Sequence, residues 1–347
     1  LPLAVLLFST EPLLMLFGQK PELAHAASQF VLPLCFGLPF SLGFQVLRNY
    51  ATALNRPNTS LIVMALTVFF NAAGDYALIF GHFGAPRLGI TGAGIASAGS
   101  YAGSFFAMVV VIYLTSALKK YRMFRRFHRP DWAKFAELYK LGIPIGLTMI
   151  FEAMLFNSSM LIMGTFGTEY VAAHQIALNV PSITFMVPLG IALAATVRVG
   201  LSAGAGDRVG VRRAGYTAMI IGAGFMLVCA IVLGLFPRAI AELYFAPTPT
   251  NAHVISLVVS FLYLAAAFQV FDGLQVVGAL SLRGLKDARA PMWIAGACYW
   301  IAGFPTCYLL GVTFGMKGTG IWIGLAFALL VAAAAMCGRF YYLARDR

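Results

Sequence analysis

The chain has 347 residues, of which 61% are hydrophobic and only 10% are charged, and its mean hydropathy is +0.85. Because a soluble domain carries about 25% charged residues, this composition excludes a soluble globular protein and indicates an integral membrane protein. The net charge of +12 would suit a nucleic-acid partner, but the distribution of the basic residues along the chain argues against one.

Apolar windows of about 20 residues, the length that spans a bilayer, predict ten transmembrane helices. They cover residues 1–18, 23–47, 59–82, 92–115, 137–165, 171–197, 214–236, 252–281, 291–313 and 319–343. The strands of a membrane barrel would alternate over about 10 residues instead. The sequence therefore predicts an all-α polytopic membrane protein.

The basic residues separate onto the two faces that these helices define. If successive helices alternate in direction, 20 of the 24 Lys and Arg fall on one face of the membrane. The other face holds only Lys20, Arg87, Arg238 and Lys317. The positive-inside rule predicts that the basic loops and the C-terminus are cytoplasmic. The excess charge then faces anionic headgroups, so we expect membrane lipids and not nucleic acid as partners.

The five cysteines all lie within apolar spans, without a CxxC pair or a metal-ligand spacing. The sequence therefore predicts neither a disulfide framework nor a zinc site.

An internal repeat relates the two ends of the chain. Gly89-Ile-Thr-Gly-Ala-Gly-Ile95 recurs as Gly315-Met-Lys-Gly-Thr-Gly-Ile321, and each copy follows a basic turn that ends in a proline, Pro57 or Pro291. Both turns fall on the basic face, so the repeats are parallel and we expect a pseudo-twofold axis along the membrane normal.

The same shift maps the helices at 137–165 and 171–197 to positions before residue 1. We therefore expect a twelve-helix protein of two six-helix lobes, of which this chain contains ten helices and lacks the first two. The predicted parts are an N-terminal lobe at 1–115, a basic cytoplasmic linker at 116–136 and a C-terminal lobe at 137–347.

Two acidic residues, Glu152 and Asp272, lie deep within predicted helices. A carboxylate at the centre of a spanning helix costs roughly 2.5–3.5 kcal/mol on insertion scales, and such residues usually face an internal cavity. The two residues predict a proton or cation site in the C-terminal half.

The chain resembles the multidrug and toxic compound extrusion (MATE) family, in its bacterial NorM-type branch. The resemblance rests on Ala172-Ala-His-Gln-Ile-Ala-Leu-Asn-Val-Pro181, on the stretch from Asp272 to Asp287, and on Asn55-Arg-Pro57. It implies cation-coupled efflux of organic, often cationic, compounds by two lobes of six helices.

The resemblance also implies roles for individual residues. Glu152 and Asp272 match the acids of the family's seventh and tenth helices and would form the cation and substrate site. Asn71 and Asp75, at i and i+4 on one helical face, match polar positions of the N-terminal lobe site. Phe268 stands where some members carry a tyrosine.

Three further polar residues, His174, Gln275 and Asn157, are candidates for the lining of the cavity. The alternative for His174 is a hydrogen-bonded core histidine, and Gln275 would otherwise bond between helices.

We expect an antiporter that exchanges drug-like cations for H⁺ or Na⁺, with Na⁺ bound at Glu152 and Asp272 where it is the coupling ion. We expect a monomer in the bacterial inner membrane, without a cofactor. The alternative is a flippase for lipid-linked oligosaccharides of the same superfamily. No HExxH or paired-aspartate motif of a membrane enzyme and no filter-like motif of a K⁺ channel is present.

Overall fold

A computed structural model describes residues 7–16, 21–54, 56–120 and 131–346, and nearly all of them are helical. In chain order the helices are α1 (Thr10–Leu16), α2 (Pro21–Ala53), α3 (Pro57–Phe80), α4 (Ile90–Leu114), α5 (Ser116–Lys119), α6 (Trp132–Phe166), α7 (Thr168–Gly204), α8 (Arg208–Leu235), α9 (Pro237–Tyr244), α10 (Ala252–Gly284), α11 (Arg289–Thr313) and α12 (Lys317–Asp346).

Nine of the helices in these described ranges are long and apolar enough to cross a membrane. They correspond to the second to tenth predicted spans and confirm the all-α polytopic fold. Of the first predicted span, at 1–18, the structure describes residues 7–16, whereas residues 1–6, 17 and 18 lie outside the description. Asn55, which belongs to one of the family-like motifs, also lies outside the described residues.

The chain divides into two compact units, Leu1–Arg129 and Pro130–Arg347. Within the predicted linker at 116–136, residues 121–130 lie outside the described residues. Helix α6 already begins at Trp132, because the Asp131 carboxylate caps it by accepting bonds from the N–H groups of Ala133 and Lys134, both at 3.1 Å. An N-cap of this kind satisfies donors that have no partner within the helix.

In the first unit α4 packs against both α2 and α3. Their contact buries a small apolar core, which consists of Leu47, Ala51, Val63, Met108, Ile112 and Leu118. Most of the remaining apolar side chains of these helices are exposed, as expected for helices that face lipid.

In the second unit α10 occupies the centre and packs against α7, α8 and α12. It carries buried side chains from Val254 to Leu282, so little of this helix is left to face lipid. Helix α6 packs mainly against α11. The largest side chains buried here are Trp322, Tyr299, Phe261 and Phe340.

The repeated glycine motif builds the same local structure in both units. Gly89 and Gly315 precede α4 and α12 with φ of +57° and +69°, a backbone conformation that glycine adopts without a steric cost. Five residues further on, a Cβ atom at Gly94 or Gly320 would lie 2.5 Å from backbone atoms of a neighbouring helix, at Phe30 or Leu310. The motif therefore turns the chain into a helix and lets that helix approach its neighbours closely.

Helix α11 is less regular than the uninterrupted span that the sequence predicts. Its α-helical parts alternate with π-helical segments at Ala297–Gly303 and Leu309–Thr313. Pro305 lies between these segments and lacks a backbone donor. Such π-helical turns occur frequently at functional sites.

Candidate functional site

Helix α6 contributes Glu152 and Phe156, which lie one turn apart and thus share a helical face. The Glu152 side chain is half-buried. Two turns before Glu152, Pro144 interrupts the helical hydrogen bonding, and the Thr148 hydroxyl donates to the Pro144 carbonyl at 2.8 Å. The acid lies on a helix that continues through the proline.

Helix α10 contributes Asp272 and, one turn before it, Phe268. Asp272 is 7% exposed and Phe268 is 2% exposed. Because α10 packs on three other helices, these side chains hold their positions within the core of the unit.

Glu152 and Asp272 line one cavity of about 500 Å³ within the second unit. The other residues that line it are Phe156, Gln175, Leu178, Asn179, Pro181, Ser182, Phe185, Met186 and Phe268. A volume of this size lies within the range of small-molecule sites.

The electrostatics of the cavity are dominated by its two acids. The charges of Glu152 and Asp272 repel each other, and the cation whose charge acts on Glu152 is Arg283 in the last turn of α10. Both carboxylates also act on the buried Tyr299 of α11, whose hydroxyl has no hydrogen-bond partner among the described residues. Two neighbouring carboxylates favour a bound cation or proton, because either one reduces their repulsion.

Helix α7 supplies a polar stripe that the sequence analysis missed. Gln175, Asn179 and Ser182 all line the cavity, and their spacing of four and three residues places them on one helical face. Their 3.6-residue period is the signal in the sequence for a shared helical face, although it does not show that this face lines a cavity.

The sequence candidate on this helix, His174, lies in the core instead. It is 0% exposed, its Nε2 atom is 3.5 Å from the Ser159 hydroxyl, and its ring packs edge-on against Trp322 with the centroids 5.6 Å apart. Among the described residues that line the cavity it is replaced by its neighbour Gln175.

The other candidates are also separate from the cavity as the structure describes its lining. Gln275 is 2% exposed and its Oε1 atom has no partner within the described residues. Asn157 is exposed and donates to the Ala153 carbonyl at 2.7 Å. Asn71 and Asp75 belong to α3 of the first unit, where both are half-buried and the Asp75 Oδ1 atom has no described partner.

An aromatic wall closes one side of the cavity. The Phe268 ring packs edge-to-face against Phe156, with centroids 6.0 Å apart, and against Trp322 at 5.6 Å. Such edge-to-face pairs each contribute about 0.5–1.5 kcal/mol beyond the area that they bury. The wall presents rigid rings to the cavity next to its carboxylates.

The cation donors of the cavity are oxygen atoms, which suit a hard cation. Within the described ranges no group of three or more His, Cys, Asp or Glu side chains converges on one point. The cavity offers two carboxylates together with the amide oxygens of Gln175 and Asn179, and hard cations such as Na⁺ prefer oxygen ligands.

Comparisons with known proteins match this chain to a family and to named relatives. The MatE family matches residues 1–77 and 144–309. A protein from Mesorhizobium japonicum named probable multidrug resistance protein NorM is 44% identical over 349 residues, which cover all of this chain and 74% of the relative. A protein of the same name from Brucella suis is 40% identical, and the alignment covers 98% of this chain and 72% of the relative.

The fold is also that of solved transporters. The crystal structure of the eukaryotic MATE transporter AtDTX14 superimposes with a TM-score of 0.83 at 23% identity, over 99% of this chain and 76% of that one. The chain therefore spans about three quarters of the length of each of these proteins.

Proposed function

Because this chain belongs to the MATE family of membrane transporters, we propose that it exports organic cations in exchange for H⁺ or Na⁺ through the cavity bounded by Glu152 and Asp272. The observation that carries the proposal is the pairing of two carboxylates in one cavity of about 500 Å³ within apolar helices. The relatives named as multidrug resistance proteins support an efflux function.

The lining of the cavity defines the chemistry of the cargo. Phe156, Phe185 and Phe268 provide apolar and aromatic surface for a planar ring system, and Met186 adds a flexible apolar contact of the kind found at promiscuous binding surfaces. The carboxylates attract a positive charge on the same molecule, and Asn179 and Ser182 can bond to its polar groups. A drug-like organic cation satisfies all three kinds of contact.

Exchange follows from competition for the same carboxylates. When the site faces the outside, protons or Na⁺ bind Glu152 and Asp272, neutralise them and release the cationic cargo. When the site faces the cytoplasm the ion leaves, and the charged carboxylates accept new cargo. The differential affinity of ion and cargo for the two conformations drives the alternation.

The available driving force is of the required size. Each unit of pH difference contributes about 1.36 kcal/mol per proton, and 100 mV of membrane potential contributes about 2.3 kcal/mol per charge. In a one-for-one exchange of monovalent cations the contributions of the membrane potential cancel, so one unit of pH difference supports an outward cargo gradient of about tenfold.

The placement in the membrane completes the proposal. The basic face, with 20 of the 24 Lys and Arg, lies in the cytoplasm of a bacterial cell and the protein spans the inner membrane as a monomer. A flippase for lipid-linked oligosaccharides is disfavoured, because its phosphate-bearing cargo would be repelled by Glu152 and Asp272.

The test is dye efflux from cells that express the full-length gene, with the pH gradient and the Na⁺ gradient varied separately. We expect efflux that collapses with one of the two gradients, and a Glu152→Gln variant that loses this dependence. Glu169→Gln is the matched control, because Glu169 lies on α7 outside the described cavity lining, in an exposed contact with His253 at 3.4 Å. Efflux that neither gradient affects would refute the antiport proposal.

A further inference from the structure

A second cavity of the C-terminal unit lies at the ends of the spanning helices. It has a volume of about 260 Å³ and is lined by Glu137, Lys140 and Leu141 of α6 and by Lys286 to Arg289 of the α10–α11 connection. Because α6 and α11 begin here and α10 ends here, the cavity lies at the level where lipid headgroups meet the protein.

The acidic groups of this cavity are already occupied. Glu137 contacts Lys286 through Oε1 at 3.3 Å and Lys134 through Oε2 at 3.0 Å. Asp287 contacts Arg339 through Oδ2 at 3.2 Å and accepts a bond from the Ala290 N–H through Oδ1 at 3.3 Å. All four carboxylate oxygens therefore have a donor within the protein.

The cationic groups are in excess. Three cations line the cavity beside two acids, and each of these acids also pairs with a cation outside the lining. Among the described residues neither Lys140 nor Arg289 takes part in an ion pair or hydrogen bond, and both side chains are exposed. The side chains of Lys140 and Arg289 are thus available to bind an anion, while Glu137 and Asp287 already contact donors of the protein.

Lys286, which lines the cavity, has an unfavourable backbone conformation. Its φ is +61°, in the left-handed region that costs a residue with a side chain roughly 1–2 kcal/mol and that glycine would occupy freely. Strained residues of this kind cluster at binding sites. The lysine that stands here reaches Glu137 on α6 and so fixes the α10–α11 connection against the start of α6.

We propose that this cavity binds the phosphate of an anionic phospholipid, with Lys140 and Arg289 as its ligands. Leu141 and the buried Ala288 provide apolar surface in the cavity, and its volume is nearly nine times the ~30 Å³ that a water molecule occupies in the liquid. Basic pockets between transmembrane helices at the membrane surface are suited to such headgroups. The site is independent of the transport cavity.

The test compares lipid binding by two double variants that lose the same charge. Purified full-length protein is titrated with phosphatidylglycerol, and the bound lipid is counted by native mass spectrometry. Lys140→Gln with Arg289→Gln removes two cations worth about 1 kcal/mol each near a lipid surface, so we expect binding to weaken by roughly 10- to 30-fold. Arg238→Gln with Lys317→Gln removes two cations at the opposite ends of the helices and should change binding less than about twofold.

Two further measurements keep the outcome decisive. Lys140→Arg with Arg289→Lys preserves the charges and should bind as the parent does, which separates loss of charge from damage to the fold. Phosphatidylcholine should bind the parent and the glutamine variant equally. Undiminished phosphatidylglycerol binding by the glutamine variant would overturn the proposal, and so would displacement of the lipid by an equal concentration of inorganic phosphate.

Discussion

Helices α2 and α10 precede the two copies of the repeated motif, yet they serve their units differently. Gln45 of α2 is exposed, whereas Gln275, at the corresponding place in α10, is 2% exposed. Three residues before each glutamine, α2 carries Leu42, which is 64% exposed, and α10 carries Asp272. At this position α10 therefore carries a buried acid, whereas α2 carries an exposed leucine.

The two copies of the repeated motif share the conformation and packing of their glycines. Gly89 and Gly315 both have a positive φ, and Gly94 and Gly320 permit the same close approach of helices. These glycines maintain the architecture of each unit, because any side chain there meets backbone atoms or strains the chain. Glu152, Asp272 and the aromatic wall, which form the proposed transport site, all belong to the second unit.

The largest expected effect comes from a comparison of Asp272 in the second unit with Asp75 in the first. Asp272→Asn should lower dye efflux at least about tenfold, because it removes one of the two carboxylates proposed to bind ion and cargo, and a bond to a charged group contributes about 1.5–3 kcal/mol. Asp75→Asn on α3 should change efflux less than about threefold, since Asp75 lies outside the described cavity lining. Both variants should reach the membrane at parent levels, measured by immunoblot of membrane fractions. An equal loss in the two variants would contradict a division of labour between the units.

The acids of the second unit were predictable, because a charge in an apolar helix has few alternatives. The α7 stripe was not identified, because adjacent residues of a helix point about 100° apart and the sequence does not say which one faces the cavity. His174 and Gln175 illustrate this limit: one lies in the core, the other in the cavity lining. The π-helical segments of α11 escaped prediction as well, since they depend on packing against neighbouring helices and leave the hydropathy pattern unchanged.

The next largest effect concerns the close helix contacts in both units. Gly320→Ala places a Cβ 2.5 Å from the Leu310 carbonyl carbon, and Gly94→Ala places one 2.5 Å from the Phe30 carbonyl oxygen. Overpacking of this kind costs about 1–3 kcal/mol, so both variants should melt at lower temperature in detergent.

The controls for these contacts come from the same helices. A Cβ at Gly338 of α12 or Gly99 of α4 would meet nothing within 4 Å, and alanine is the better helix former. Gly338→Ala and Gly99→Ala should therefore melt at or above the temperature of the parent. If Gly94→Ala were as stable as Gly99→Ala, the proposed equivalence of the two repeats would fail.

A smaller effect is expected from the backbone at the start of the repeated motif. Neither Gly89 nor Gly315 has an atom within 4 Å of an added Cβ, so a change to alanine affects only the positive φ. Each change should cost roughly 1–2 kcal/mol, and the two variants should lower the melting temperature by similar amounts. If the melting temperature fell strongly for one alanine variant and not for the other, only one copy of the motif would contribute to stability.

The smallest expected effect concerns the N-terminal caps of one helix in each unit, α8 and α3. Asp207 caps α8 of the second unit, where its Oδ1 atom accepts a bond from the Gly210 N–H at 2.8 Å. In the first unit α3 begins at Pro57, and Arg56 before it makes no capping bond through its side chain. Because Pro57 has no N–H, α3 begins with one unpaired donor fewer than α8 does.

Asp207→Ala should therefore cost about 1 kcal/mol, whereas Arg56→Ala should leave the melting temperature unchanged. Asp207→Asn should retain most of the stability, since asparagine caps about as well as aspartate. Should the asparagine variant melt as low as the alanine variant, the contribution of Asp207 would be its charge at the positive end of the helix dipole and not its hydrogen bond to Gly210. The two units would then still differ in how their helices begin, but through electrostatics instead of capping geometry.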